Sequence, residues 1–258
     1  MLWTKVSSYE EMSQYGAAVI YRAVAAAAHR QQLFNLGLAT GNTMLRLYEL
    51  LAAKLNQNKT DLSGLHTYNL DEYVSPDGGS LPPEHALSYR KYMQDNLFSR
   101  LEPALGFKPE QAHFPRPEDP AAFDRLLQNN GGLHLQLLGI GFNGHIAFNE
   151  PQSEEEISTA AFAALPTRVI GLKALTISTN AKLTAGGDES QVPRQAVTMG
   201  MKPILAAAKI LLLACFEQQS GVLQRIRQGR VSPELPASYL LQHNNAEIVY
   251  TQDKISLE

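Results

Sequence analysis

One glycine-rich stretch, residues 139–151, carries the side chains of this chain that are best suited to chemistry. It reads Gly-Ile-Gly-Phe-Asn-Gly-His-Ile-Ala-Phe-Asn-Glu-Pro and follows the apolar run 133–138, which is typical of a buried strand. Its three glycines let the backbone turn tightly and leave room for a ligand. His145 can take and return protons near neutral pH, and the carboxylate of Glu150 can orient it. A structural turn is the alternative, but such a turn rarely needs this many polar groups.

A second candidate segment is Thr40-Gly41-Asn42-Thr43, between a predicted strand at 33–38 and a predicted helix at 44–55. Hydroxyls, an amide and backbone N–H groups at a helix start form a natural anion site. The same residue types also cap helices for purely structural reasons, so both interpretations stay open. The segment is not a P-loop, because no Gly-Lys-Ser/Thr follows it.

The third segment is the acidic pair Asp71-Glu72, directly after a predicted strand at 66–70. A carboxylate at a strand end could act as a general base, or it could cap the next turn. Neighbouring side chains on an extended chain point to opposite sides. We therefore expect only one of the two carboxylates to face a cleft, while the other makes a supporting hydrogen bond or ion pair.

These segments lie in a chain where predicted strands alternate with predicted helices. A capping box over 8–11 opens a helix that runs to about residue 29. Further strands are predicted at 133–138, 169–177, 210–215 and 248–250, and further helices at 88–101, 119–128, 180–185, 203–208 and 221–228. This alternation predicts an α/β fold, with a mostly parallel sheet and helices on both faces in a single Rossmann-like domain over 1–258. The acidic segment 152–166 is predicted to be either a solvated face or a lid over the site.

Composition excludes several functional classes. The 258 residues are 44% hydrophobic with a formal net charge of −3 and show no basic patch, so we expect no nucleic-acid partner. The single cysteine, Cys215, rules out an internal disulfide and is expected to be a buried core residue. The first eleven residues lack a signal core, and the longest apolar stretch, 204–216, is too short to span a bilayer. We therefore expect a cytoplasmic protein with no membrane partner.

Taken together, the three segments resemble the glucosamine-6-phosphate deaminase family. The likeness rests on residues 39–43, 69–73, 139–151 and 192–200, and it continues more weakly over nearly the whole chain. The resemblance implies a hydrolase/isomerase of amino sugar metabolism, in the catabolism of N-acetylglucosamine. It would convert glucosamine 6-phosphate and water into fructose 6-phosphate and ammonia, with no metal and no organic cofactor. The small-molecule partner would be an amino sugar phosphate, and the oligomeric state, monomer or homo-oligomer, is left open.

The resemblance also implies roles for individual residues. His145 would open the pyranose ring, with Asn143 and Glu150 orienting and polarising it, and Asp71 would remove the proton from the carbon that bears the amine. The implied substrate-binding residues are Thr40, Gly41, Asn42, Thr43, Gly141 and Lys182.

This sequence departs from the family pattern where the phosphate is expected. Lys182 stands where an arginine usually grips the phosphate, and Gln219 where the family usually has a phosphate-binding lysine. Lysine lacks the bidentate fork of arginine. Compensation by Arg194, Lys202 or Arg225 cannot be judged from sequence. Two alternatives therefore stay open: a diverged paralogue for another amino sugar or sugar phosphate, and a non-catalytic sugar-phosphate sensor. The acid–base residues at 71, 145 and 150 argue against the sensor.

Overall fold

A parallel sheet of seven strands forms the centre of the computed structural model, which describes residues 1–257. Every pairing in this sheet is parallel. In spatial order the strands are β1 (Leu2–Val6), β10 (Ala246–Thr251), β9 (Ile210–Ala214), β6 (Leu135–Leu138), β2 (Phe34–Leu38), β3 (Leu65–Asn69) and β5 (Ala112–His113). The order changes direction between β2 and β6, and this is where an open α/β sheet forms a crevice at its carboxyl edge.

A second, smaller sheet of three antiparallel strands lies beyond that edge. Its order is β4 (Asp71–Val74), β8 (Gln195–Thr198) and β7 (Arg168–Gly171). Only Leu70 separates β3 from β4, so the chain passes from the parallel sheet into the small sheet without an intervening loop.

Helices flank the sheets. They are α1 (Tyr9–His29), α2 (Leu45–Gln57), α3 (Tyr89–Asn96), α4 (Pro120–Asn129), α5 (Thr159–Ala163), α6 (Ala174–Thr184), α7 (Met201–Leu205) and α8 (Ser220–Arg227). The first begins as its capping box predicts, because the Ser8 side chain accepts a hydrogen bond from the Glu11 N–H. None of the helices within 1–257 is long and apolar enough to cross a membrane.

The strands β2, β6 and β9 at the centre of the sheet are buried along their whole length. Such strands are covered on both faces, which explains why β9 appears in the sequence as a continuous apolar run rather than an alternating one. β6 is also buried throughout, although it includes the polar Gln136. The predicted fold class, a mostly parallel α/β sheet with packed helices in one domain, is confirmed.

Two predictions about local structure are corrected. The segment predicted to be extended over 169–177 is strand only to Gly171, and α6 begins at Ala174, because Thr176, Ile177 and Ala181 recur at helical spacing on one buried face. The edge strand β1 and the small sheet were not predicted. Edge strand β1 is largely solvent-exposed and lacks a clear apolar alternation.

The segment 152–166, for which a lid was one prediction, packs against the body of the protein. Phe162 is fully buried against Tyr239, whose hydroxyl donates to the Thr159 carbonyl at 2.9 Å. Within the described chain, no residue of this segment lines the cavity that lies at the edge of the parallel sheet after β2, β6 and β9. Helix α6 forms that part of the cavity wall instead.

Candidate active site

The loops that follow β2, β6 and β9 meet at one edge of the parallel sheet and surround a cavity of about 420 Å³. This size is typical of small-molecule sites. Predicted site residues that line it are Thr40, Gly41, Asn42, Thr43, Asp71, Gly141, Asn143 and His145. Helices α3 and α6 complete the wall through Tyr89, Tyr92, Asn96, Leu175, Thr176, Thr179, Asn180, Leu183 and Thr184. The three segments singled out in the sequence therefore converge on one site.

Asp71 reaches the cavity because it is the first residue of the small sheet. The Leu70 N–H donates to Leu38 of the parallel sheet at 3.1 Å, and the Leu70 carbonyl accepts from the Met199 N–H at 2.6 Å. Asp71 itself pairs with Thr198 on β8. The junction between the two sheets thus fixes the position of the Asp71 carboxyl at the cavity.

The Asp71 side chain is 6% exposed, and burial, with the nearby charge of Glu72, raises the pKa of its carboxyl to about 8. Removal of a carboxylate from water disfavours its charged form, and a second carboxylate adds to this. A carboxyl that titrates near neutral pH can both accept and return a proton. Asp71 therefore suits an acid–base role.

Glu72 points to the other side of the strand, as the alternation of side chains predicts. It is fully buried, and its carboxylate accepts hydrogen bonds from the Ser88 hydroxyl at 2.9 Å and from the N–H groups of Tyr89 and Arg90 at 3.0 and 3.1 Å. A carboxylate at a helix start is favourable because of the N–H groups and the helix dipole. Glu72 therefore anchors α3, the helix that carries part of the cavity wall.

Gly141 makes room for His145. A Cβ atom at Gly141 would lie 2.2 Å from the imidazole Cε1, a distance that real contacts do not show. The Gly141 N–H donates to the His145 carbonyl at 3.0 Å, which closes the turn under the ring. Gly144 adopts a φ of +89°, in the left-handed region that favours glycine. Gly141 is therefore required by the position of the His145 ring, and Gly144 by its backbone conformation.

His145, Asn143 and Glu150 form a linked group. Nδ1 of His145 lies 3.6 Å from Oε2 of Glu150, close enough for an ion pair but too long for a hydrogen bond. The Asn143 amide donates to the same carboxylate oxygen at 2.8 Å, and its Oδ1 accepts from the His145 N–H at 3.2 Å. Asn143 therefore joins the carboxylate to the backbone of the histidine.

Glu150 lies behind the cavity lining, and Thr176 is a partner that sequence analysis missed. The Thr176 hydroxyl donates to Oε1 of Glu150 from helix α6. Burial alone would raise the pKa of Glu150, but the charge of the nearby His145 and the hydrogen bonds from Thr176 and Asn143 outweigh it and lower the pKa to about 2. The carboxylate is therefore ionised at neutral pH and can stabilise a protonated imidazole.

Strand β8 holds the two halves of the site together. Besides pairing with Asp71, Thr198 accepts a hydrogen bond at its hydroxyl from the Phe148 N–H at 3.0 Å. The Asn149 amide donates to the Met199 carbonyl at 2.9 Å. One strand therefore sets the distance between the acid at 71 and the loop that carries the histidine.

The segment at 40–43 is held by two tyrosines, of which Tyr92 lines the cavity and Tyr9 does not. The Tyr92 hydroxyl donates to the Gly41 carbonyl at 2.7 Å, and the Tyr9 hydroxyl to the Asn42 carbonyl at 3.0 Å. Gly41 has a φ of +110°. The first N–H groups of a helical segment have no carbonyl one turn earlier, so those of this loop are suited to an anion or a hydroxyl.

Lys182 and Gln219, the two positions discussed for phosphate binding, have other surroundings in the structure. Lys182 was predicted to bind substrate, but its side chain is exposed and does not line the cavity, because α6 turns other residues toward it. Gln219 is 2% exposed and holds two loops together. Its Oε1 accepts from the N–H groups of Cys215 and Phe216, both at 2.9 Å, and its Nε2 donates to the Ile140 carbonyl at 2.7 Å.

Cys215 is only partly buried. Burial raises the pKa of its thiol to about 11, so the thiolate is scarce at neutral pH. Among residues 1–257 there is no group of three or more His, Cys, Asp or Glu side chains placed to hold a metal ion.

The chain is similar in sequence to known proteins over most of its length. The family described as glucosamine-6-phosphate isomerases/6-phosphogluconolactonase matches residues 7–250. The chain is 36% identical to glucosamine-6-phosphate deaminase 2 of Bacillus subtilis over 248 residues, which cover 93% of this chain and 91% of the relative. It is 39% identical to a glucosamine-6-phosphate deaminase of Rhodopirellula baltica over 228 residues, or 86% and 83% of the two chains.

Solved structures of other proteins have the same fold. A monomeric glucosamine-6-phosphate deaminase superposes with a TM-score of 0.85 at 29% identity and covers the whole of both chains. A 6-phosphogluconolactonase from Trypanosoma cruzi shares the fold, with a TM-score of 0.71 at 16% identity over 98% of this chain and 94% of its own.

Proposed function

This chain belongs to the family of glucosamine-6-phosphate isomerases and 6-phosphogluconolactonases, and we propose that it is a deaminating aldose–ketose isomerase. The reaction converts glucosamine 6-phosphate and water into fructose 6-phosphate and ammonia. The observation that carries the proposal is that Asp71 and His145, from distant parts of the chain, line the same cavity. One carboxyl and one imidazole are the two acid–base groups that this chemistry needs.

His145 opens the sugar ring in this proposal. The imidazole takes the proton of the anomeric hydroxyl and delivers it to the ring oxygen while the bond between that oxygen and carbon 1 breaks. This step needs a group that both accepts and donates near neutral pH, which suits histidine. The ionised Glu150, 3.6 Å from Nδ1, stabilises the imidazolium that forms in between. Asn143 hydrogen-bonds both the Glu150 carboxylate and the His145 backbone, and so fixes their relative positions.

Asp71 then moves the proton that converts the aldose to the ketose. Its carboxylate removes the proton from carbon 2 while the substrate's ammonium group passes a proton to the carbonyl oxygen at carbon 1, which gives an enolamine. Return of the proton from Asp71 to carbon 1 leaves an iminium at carbon 2. Water adds there, ammonia leaves, and the ketone remains. The carbonyl function thus moves from carbon 1 to carbon 2 on an unchanged carbon skeleton, and hydrolysis is confined to the final exchange of nitrogen for oxygen.

The site residues divide into two groups in this proposal. Asp71 and His145 act on the substrate directly, while Asn143 and Glu150 position and polarise the histidine. The segment 40–43 holds the substituent at carbon 6. Such an activity belongs to amino sugar metabolism, and the release of ammonia and a ketose phosphate places it in a catabolic direction.

Ammonia release from glucosamine 6-phosphate tests the proposal. The purified protein should release ammonia and form fructose 6-phosphate in equal amounts, and Asp71→Asn should do neither. A protein that binds the sugar phosphate without releasing ammonia would instead be a sensor, and the catalytic proposal would be wrong. Binding of the substrate by Asp71→Asn, followed by calorimetry, separates loss of chemistry from loss of the fold.

A further inference from the structure

The cavity has an unusual charge balance for a site that receives a phosphate ester. Of the residues that the structure describes, neither a lysine nor an arginine lines it. Its acidic component is Asp71 in the wall, with the ionised Glu150 directly behind. A phosphate dianion that leaves water for such a site loses hydration, gains no ion pair with a lysine or an arginine, and is repelled by the ionised Glu150.

Three cationic side chains on or beside the elements of the site make other contacts or are exposed. Arg168 donates to the Asn149 side-chain oxygen at 2.9 Å, and Lys173 donates to the Pro151 carbonyl. Lys182 is exposed to solvent. Gln219, which does line the cavity, uses its acceptor and a donor on the backbone of two loops. Moving Arg168 or Lys173 into the cavity would require these contacts to break.

The groups that remain for the substituent at carbon 6 are uncharged. The segment 40–43 supplies two hydroxyls, an amide and backbone N–H groups, and Asn96 and Asn180 supply further amides. Such groups can hydrogen-bond either a hydroxyl or a phosphate oxygen. Bonds to the ionised oxygen are roughly twice as strong as neutral ones, but they form without the ion pair that a lysine or an arginine would add. A lysine or an arginine would select strongly for a phosphate, and among the described residues neither lines this site.

Apolar surface covers much of the remaining wall. Phe142 and Phe216 meet edge to face with ring centroids 5.9 Å apart, and Leu45, Leu175 and Leu183 also line the cavity. These side chains suit the carbon face of a hexose whether or not it carries a phosphate.

We propose that this enzyme also deaminates free 2-amino-2-deoxyhexoses, with an unphosphorylated hydroxyl at carbon 6, because uncharged groups alone hold that substituent. The inference rests on the proposed deaminating isomerase and widens its substrate class. The chemistry at carbons 1 and 2 is the same, with ring opening by His145, proton transfer by Asp71 and exchange of ammonia for water.

The test compares glucosamine and glucosamine 6-phosphate as substrates in one ammonia-release assay. We expect kcat/KM for the two substrates to agree within about a hundredfold, because glucosamine forgoes hydrogen bonds between the phosphate and uncharged donors but no ion pair. If ammonia is released from glucosamine 6-phosphate with a kcat/KM more than about a hundredfold above that for glucosamine, the inference is wrong and the proposed function stands. Release from glucosamine alone supports the inference and overturns glucosamine 6-phosphate as substrate. Release from neither overturns both.

A charge introduced at the cavity wall provides a second, independent readout. Leu45 lines the cavity next to the segment 40–43 and is 38% exposed, so a longer polar side chain fits there. Leu45→Lys should raise the preference for glucosamine 6-phosphate over glucosamine about tenfold, from the attraction of an ammonium to the phosphate in a partly hydrated site. Leu45→Gln, which changes the shape without the charge, should leave the preference near that of the parent. If Leu45→Lys and Leu45→Gln showed the same preference for glucosamine 6-phosphate over glucosamine, another group would already neutralise the phosphate, and the inference would be wrong.

Discussion

The imidazole of His145 lies directly over the Cα of Gly141, so close that any side chain at 141 would overlap it. A Cβ at that position would be 2.2 to 2.4 Å from three atoms of the ring. The turn that brings the ring there is closed by the hydrogen bond from the Gly141 N–H to the His145 carbonyl. The glycine was predicted to bind substrate, and its clearest role in the structure is to determine where the histidine lies.

Gly141→Ala should therefore displace His145 and reduce kcat while leaving the fold intact. General acid–base catalysis is worth about a hundred- to ten-thousandfold, and we expect a loss within that range. Gly139→Ala is the matched control, because a Cβ there meets only the Met44 Cε at an ordinary 3.6 Å. Steady-state kinetics and thermal unfolding of both variants check this. Equal kcat values for the two alanine variants would show that the position of the ring does not depend on Gly141.

His145→Gln tests the histidine without a change of local packing. Glutamine can hydrogen-bond but cannot take and return a proton, so ring opening should become limiting and kcat should fall at least about a hundredfold. The variant should still remove the carbon 2 proton from the small open-chain fraction of substrate, which exchange of that proton with deuterated solvent would reveal. Normal turnover of the cyclic sugar by His145→Gln would exclude His145 from the mechanism.

The pH dependence of kcat/KM should report Asp71. Its carboxyl must be ionised to remove a proton, and burial, followed by the charge of Glu72, raises its pKa to about 8. kcat/KM should therefore fall about tenfold per pH unit below pH 8. Glu72→Gln removes the smaller cause only, so its profile should move slightly toward lower pH and keep its shape. A profile that is flat from pH 6 to pH 8 contradicts the assignment of Asp71 as the base.

Much of this site could be predicted from the sequence because parallel strands of one sheet end at one edge. A glycine-rich turn after β6 and an acid after β3 had to lie near each other once the strands were recognised, and the alternation of side chains separated Asp71 from Glu72 correctly. The segment 40–43 follows the same rule. These inferences needed only local patterns and the general properties of parallel sheets.

The remainder depends on contacts between segments far apart in sequence. Thr176 binds Glu150 from a helix that a run of leucine, isoleucine and threonine made look extended, and nothing local marks its hydroxyl as a partner. Lys182 has the right charge, but the rotation of α6 decides where its side chain points. Gln219 appeared to be a lost phosphate ligand, and only the structure shows that it links two loops.

Asp71→Asn should raise the stability of the protein at alkaline pH. The folded protein favours the protonated carboxyl, since the pKa rises from 3.8 to about 8 on folding. This contribution is fully present below pH 3.8 and is lost progressively as pH rises from there through 8, above which the parent must bury a charge. Asparagine never ionises, so the variant should be more stable by on the order of 5 kcal/mol at pH 9 and show little gain at pH 4. Urea unfolding at the two pH values measures this, and a gain of equal size at both would show that burial of the charge is not its cause.

Gln219→Leu should destabilise the protein and loosen the catalytic loop. The substitution keeps the volume but leaves the N–H groups of Cys215 and Phe216 and the carbonyl of Ile140 without their partner. Each buried polar group left unsatisfied costs about 1–3 kcal/mol, so a loss of about 2–4 kcal/mol is expected after partial rearrangement. The exposed neighbour offers the control, since Gln218→Leu should change the free energy of unfolding by less than about 0.5 kcal/mol. Because Ile140 directly precedes Gly141, kcat should fall in the first variant and not in the second. Equal stability of the two leucine variants would mean that Gln219 does not hold these loops.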